Sequence, residues 1–96
     1  MSDKELYRQK KQAELDEWQA EVDKLKAKAS SASADAQLEI NEQIETLEGK
    51  IEEGKAKLSE LAEASDDAWE SFKDGIESAW DSMKTAFSEA ASKLKG

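Results

Sequence analysis

Apolar residues recur at alternating intervals of three and four along most of this 96-residue chain, and no proline interrupts them. Such spacing places them on one stripe of an α-helix, and it is incompatible with the period of two that a strand needs. In the first segment the stripe is Leu15, Trp18, Val22, Leu25, Ala29, Ala32 and Ala36. Its average period is 3.5 residues, the heptad seam of a coiled coil, and the residues between are mostly Glu, Asp, Lys and Gln. Heptads resume at Ile44, Leu47, Ile51, Gly54, Leu58 and Leu61.

Between these runs the seam shrinks to alanine in KAKASSASADAQ (26–37), and Ala36, Ile40 and Ile44 are spaced four and four, a stutter in the heptad. The serines admit a loop and a helical hairpin, with a break at 30–34. Ser, however, costs only about half a kcal/mol relative to Ala in a helix, and neither Gly nor Pro is present here. One continuous helix over about 3–64, within a 1–64 heptad unit, is therefore the expectation. EGKIEEGK (48–55) is its weakest stretch, since each Gly costs about 1 kcal/mol in a helix interior, and a turn there is the lesser alternative.

A second unit, 65–96, follows AEASDDAWE. Ser65, Asp66 and Asp67 are all good N-caps, and Asp67 with Glu70 resembles a capping box. A helix over about 66–94 is expected, ending in Lys93 and Lys95 before Gly96. Here the spacing changes to eleven. WESFKDGIESA, WDSMKTAFSEA and a faded ASKLKG align, and the stripe is Trp69, Phe72, Ile76, Trp80, Met83, Phe87, Ala91 and Leu94. Eleven residues in three turns is close to the relaxed helix, so the stripe runs nearly straight. Lys73, Lys84 and Lys95 line one edge; Ala68, Ala79, Ala86 and Ala90 line the other. Burying four aromatics at ~200 Å² each is worth roughly 20 kcal/mol gross, so this face must be covered.

The remaining chemistry is sparse. With 39% charged residues and no Cys or His, the chain offers no disulfide, thiolate, zinc, haem or di-iron site. Glu45, Glu48 and Glu52 share a helix face, which reads as a solvated stripe rather than a cation site. No phosphate loop, Ser–His pair or EF-hand occurs. No catalytic residue, cofactor or metal is expected, and the chain is not expected to be an enzyme. The net charge of −9 disfavours nucleic acid. It is concentrated in residues 29–67, which hold eleven acids and three bases, a solvated face. MSDKELYRQKKQ has no apolar core of a secretory signal, and no run approaches ~18 apolar residues, so a cytoplasmic location is expected. Tyr7 and Trp18 are expected to pack at the bundle end.

The stretches QAELDEWQAEVDKLKAKA (12–29), SADAQLEINEQIETL (33–47), KLSELAEAS (57–65) and DDAWESFKDGIESAWDSM (66–83) resemble, in order and over nearly the whole chain, the small bacterial stress-response coiled-coil proteins often described as apolipoprotein-like. SSASAD and the glycines of EGKIEEGK depart from that family's Lys/Glu/Ala filling. The resemblance implies an all-helical cytoplasmic protein linked to stress, with no catalytic residues to transfer.

The expected architecture is all-α: a long heptad helix followed by an eleven-residue-repeat amphipathic helix, folded as a hairpin or bundle, with homo-oligomerisation to supplement a small core. The expected interaction face comprises Leu15, Trp18, Val22 and Leu25; Ile44, Leu47, Ile51, Leu58 and Leu61; and Trp69, Phe72, Ile76, Trp80, Met83, Phe87 and Leu94. The leading expectation is a structural or interaction protein, stress-protective and self-associating through these seams. A lipid surface bound through 66–94 is the alternative, and holdase-type client binding a weaker one.

Overall fold

A computed structural model describes residues 2–94. Among these the chain forms helices α1 (Asp3–Ser30), α2 (Ala34–Glu63) and α3 (Lys73–Lys93), with a 3₁₀ turn, Trp69–Phe72, leading into α3. They run up, down and up. The bundle is elongated, 52 × 20 × 17 Å. Its radius of gyration, 15.6 Å, exceeds the ~12.5 Å of a compact domain of this length. All three helices contribute to one apolar cluster, so the all-α expectation holds.

The single helix expected over 3–64 is two helices. The Ser31 and Ala32 amides close the last turn onto the Lys28 and Ala29 carbonyls, and Ser30 Oγ adds a hydrogen bond to the Ala27 carbonyl and Ser31 Oγ one to that of Lys28. Ser33 then caps α2, its side chain accepting from the Ala36 amide at 3.4 Å. Three serine side chains thus supplement the backbone bonds that close α1 and open α2. The reversal lays the α1 seam on that of α2, burying Leu15, Val22 and Ala29 against Ile44, Leu47 and Ile51. The four-and-four spacing at Ala36, Ile40 and Ile44 is not a stutter. It is the start of a second helix with its own phase.

Gly49 and Gly54 do not interrupt α2. Gly54 is buried where the three helices meet. A β-carbon built there would stand 2.9 Å from Leu15 Cδ2, 3.0 Å from Met83 Cε and 3.3 Å from Trp80 Cη2. At Gly49 a β-carbon would meet nothing within 4 Å.

The second expected boundary also moves. No helix starts at Asp66 or Asp67. Ser65 organises the turn, its hydroxyl accepting from the Ala68 amide at 3.2 Å and its carbonyl from Ala68 and Trp69. The 3₁₀ turn comes next and α3 begins only at Lys73, so the Asp67–Glu70 capping box is not formed. Lys4 fastens the linker to α1, donating to the Ala64 carbonyl at 2.9 Å and lying 3.8 Å from Asp66. The expected helix end at Lys95 and Gly96 lies outside the described residues.

Candidate functional site

The sixteen side chains expected to form the interaction face all meet in one core. Leu15, Val22, Ile44, Leu47, Ile51, Leu58, Leu61, Trp69, Ile76, Trp80 and Met83 are buried; Trp18, Leu25, Phe72, Phe87 and Leu94 are half-buried against them. The aromatic face of α3 is therefore covered by the protein's own α1 and α2. The partners are uneven. α1 and α2 lie close along their length, whereas α1 and α3 are kept apart by rings. Trp18 stacks on Phe87 with centroids 5.8 Å apart and tilts against Trp80 at 6.2 Å. Trp18 thus stands midway along α1 rather than at the bundle end. Tyr7 does lie near an end, tilted against Trp69 at 5.6 Å.

Beside Tyr7 a polar clasp joins the start of α1 to the start of α3. The Tyr7 hydroxyl donates to Glu77 Oε1 at 2.6 Å. Lys11, only 6% exposed, lies 3.2 Å from the same oxygen and 3.5 Å from Glu14. Its ammonium also faces the rings of Tyr7 and Trp80 at 5.5 and 5.6 Å. A charge this buried is tolerable only because two carboxylates and two π-faces replace its water. Lys73 covers the clasp from α3, 4.5 Å from the Trp69 ring centroid. Burial, and then the Glu77 carboxylate, push the Tyr7 phenol above its usual value. The Tyr7 hydrogen bond, and secondarily Lys11, hold Glu77 below the usual carboxylate value against its partial desolvation. Neither Lys11 nor Glu77 was in the expected face. A lysine at the edge of a seam carries no periodic signal, and its carboxylate partner is 66 residues away in sequence.

At the opposite end the packing is incomplete. The residues there are alanines at the end of α1 (Ala29), in the α1–α2 turn (Ala32) and on the last turns of α3 (buried Ala90 and exposed Ala91), so Leu25, Phe87 and Leu94 face small neighbours. The result is an open cleft of about 400 Å³ lined by Leu25, Leu47, Phe87, Ala90, Ala91 and Leu94, with Glu21 and Lys28 on its rim. A smaller cleft of about 290 Å³ adjoins it, sharing Lys28 and Leu94 and bringing in Lys93, Glu39 and Ile40. Lys28 donates to the Leu94 carbonyl at 3.4 Å between the two.

The acidic face of α2 is solvated and lightly paired. Glu48 meets Lys26 at 2.9 Å and Glu52 meets Lys55 at 3.3 Å, while Glu45 is exposed. Hydrogen bonding to Glu48 raises Lys26 above its usual value. Among the described residues no group of three His, Cys, Asp or Glu is placed to hold a metal ion. Nor is any helix among them long and apolar enough to cross a membrane. No family model, no curated protein and no solved structure matches the chain.

Proposed function

We propose that the protein is a non-enzymatic helical interaction protein of the cytoplasm, stress-protective and self-associating. Its stored aromatic helix is its means of binding. One observation carries this reading: the whole aromatic stripe lies on a single segment, 69–93, joined to the α1–α2 hairpin by a short non-helical linker. Detaching α3 without an acceptor exposes Trp69, Ile76, Trp80 and Met83 at about 2–3 kcal/mol each, or ~10 kcal/mol in all. That is comparable to the whole stability of a small domain. Spontaneous opening is thus rare. An acceptor offering the same apolar area removes most of the penalty, and a second copy's α1–α2 hairpin offers the same contacts. Exchange of α3 between copies is the geometry that this supports.

Sedimentation equilibrium from micromolar to millimolar concentration tests it. The expected result is a mass rising from 10.6 kDa to a multiple of it. A double-cysteine variant, Ser82→Cys with an added cysteine on the α2 surface at Lys57, then carries donor and acceptor dyes on separate copies. Energy transfer growing as the copies exchange α3 supports the reading; a strictly monomeric protein across the range overturns it.

A lipid surface is the second reading, favoured by Lys73 and Lys84 at the polar–apolar edge of α3, where their stems can snorkel. Neutral and anionic vesicles would shift the tryptophan emission blue or red and change helicity if α3 leaves the bundle. A spectrum and helicity that do not move with either vesicle sink this reading. A holdase role fails if the protein does not suppress aggregation of a heated client.

A further inference from the structure

The cleft at the α1–α2 turn end has features the aromatic core lacks. It is open while the bundle is closed. Its six apolar side chains come from all three helices. Its volume, about 400 Å³, falls within the range of small-ligand sites. Two lysines stand where it meets its smaller neighbour: Lys28, on the rim of both clefts, and Lys93, on the second. Neither is in an ion pair among the described residues, although Lys4, Lys11, Lys24, Lys26 and Lys55 are. On the same rim, Glu21 is already engaged by Lys24 at 3.4 Å. The second cleft also carries Glu39, so an anionic group is favoured at the junction beside Leu94 and not deeper along α2.

We propose that this cleft binds one molecule of a single-chain anionic amphiphile, with the chemistry of a medium-length fatty carboxylate. The tail lies among Leu25, Leu47, Phe87, Ala91 and Leu94. The carboxylate sits on Lys28 and Lys93, replacing the long Lys28 contact to the Leu94 carbonyl with a charge-assisted hydrogen bond. The apolar surface supplies affinity and the lysines supply orientation and the preference for an anion. The bundle stays closed, which separates this site from any surface binding by a released α3.

The test is a titration of the ¹⁵N-labelled protein with sodium decanoate at pH 7, below the concentration at which decanoate forms micelles. Saturable one-to-one binding is expected, with amide shifts gathered at Leu25, Leu47, Phe87, Ala91 and Leu94 and none at Tyr7 or Trp69. Ala91 is exposed, so Ala91→Leu fills the cleft without disturbing the core and should weaken binding at least tenfold. The surface double variant Lys28→Gln/Lys93→Gln should weaken decanoate several-fold and leave decanol unchanged. The proposal is overturned by any of three results: no saturation below micelle formation, shifts spread along the whole of α3 with loss of packing, or an Ala91→Leu protein that keeps its fold and binds as the parent does.

Discussion

Replacing Gly54 with alanine adds one methyl group at the point where the three helices meet, and Gly49→Ala adds the same group to the same helix in open space. Both changes gain about 1 kcal/mol of helix propensity. Only the first must find room, with Leu15 Cδ2 at 2.9 Å and Met83 Cε at 3.0 Å from the new atom. Both atoms end flexible side chains, so they can move, but overpacking a filled core costs about 1–3 kcal/mol. Gly49→Ala should therefore stabilise the protein by about 1 kcal/mol. Gly54→Ala should lie between neutral and ~2 kcal/mol destabilised. The propensity gain cancels in the comparison, so the gap between the two is the packing cost alone, about 1–3 kcal/mol. At about 4–8 °C per kcal/mol for a domain of this size, the midpoints should differ by at least about 4 °C. Urea and thermal unfolding followed by circular dichroism at low protein concentration measure it. In a Leu15→Val background, which lacks the crowded Cδ2 atom, the cost of Gly54→Ala should shrink by at least about 0.5 kcal/mol. Equal stabilisation by Gly49→Ala and Gly54→Ala would refute the three-helix junction.

Tyr7→Phe removes the hydroxyl donated to Glu77; as the carboxylate is half-exposed, a loss of about 1 kcal/mol is expected by urea titration at pH 7. The folded-state value of Glu77 is depressed, so its contribution is present above the usual carboxylate range and lost as pH falls through the folded value. Protonating the other acids relieves the −9 charge and obscures this in the parent alone, so the stability difference between parent and Glu77→Gln should narrow from pH 7 to pH 3; a constant difference contradicts the clasp. Tyr7 has the opposite sign. Its raised value leaves stability intact below ~10 and loses it as pH climbs beyond, so absorbance at alkaline pH should show the Tyr7 phenol ionising later than a free phenol. Ser33→Ala removes the α2 cap and should cost about 1 kcal/mol by the same unfolding assay, whereas no loss is expected if residues 3–63 were one helix. Trp18→Ala deletes the ring between Trp80 and Phe87 and should cost about 3 kcal/mol, near the lower end for a large aromatic because Trp18 is half-buried; a loss under 1 kcal/mol would mean that the rings do not support one another.

Much of this arrangement is legible along the chain. The three-and-four spacing identifies most side chains that end up in the core, and the repeat at eleven identifies the aromatic stripe of α3. The spacing misses Lys11, and the repeat places Ala91 on that stripe where the structure buries Ala90 and leaves Ala91 exposed. The break at Ser31–Ser33 was legible too. The seam changes phase at Ala36, which a continuous coiled coil must absorb as a stutter and a new helix need not. Propensity alone favours continuation there, because it counts the small cost of each serine and omits the hydrogen bonds that its hydroxyl supplies. The late start of α3 was hidden for a similar reason. Ser65, Asp66 and Asp67 are all capable caps; in the folded chain Ser65 takes the turn, while Lys4 of α1 reaches Ala64 and Asp66 from across the bundle, a contact that no local pattern announces.

The periodic residues and their types, set by helix geometry and by the free energy of removing apolar area from water, determined the helices and which face of each is buried. Those terms are local or additive, so one chain read in order contains them. What the tertiary structure decided is what each face meets. Gly54 as a socket for Leu15, Trp80 and Met83, the Tyr7–Lys11–Glu77 clasp and the unfilled cleft at Leu25, Phe87 and Leu94 all join residues distant in sequence. Each depends on the mutual rotation and spacing of three helices, and a heptad or an eleven-residue repeat says which stripe is apolar without saying how far away the facing stripe will lie.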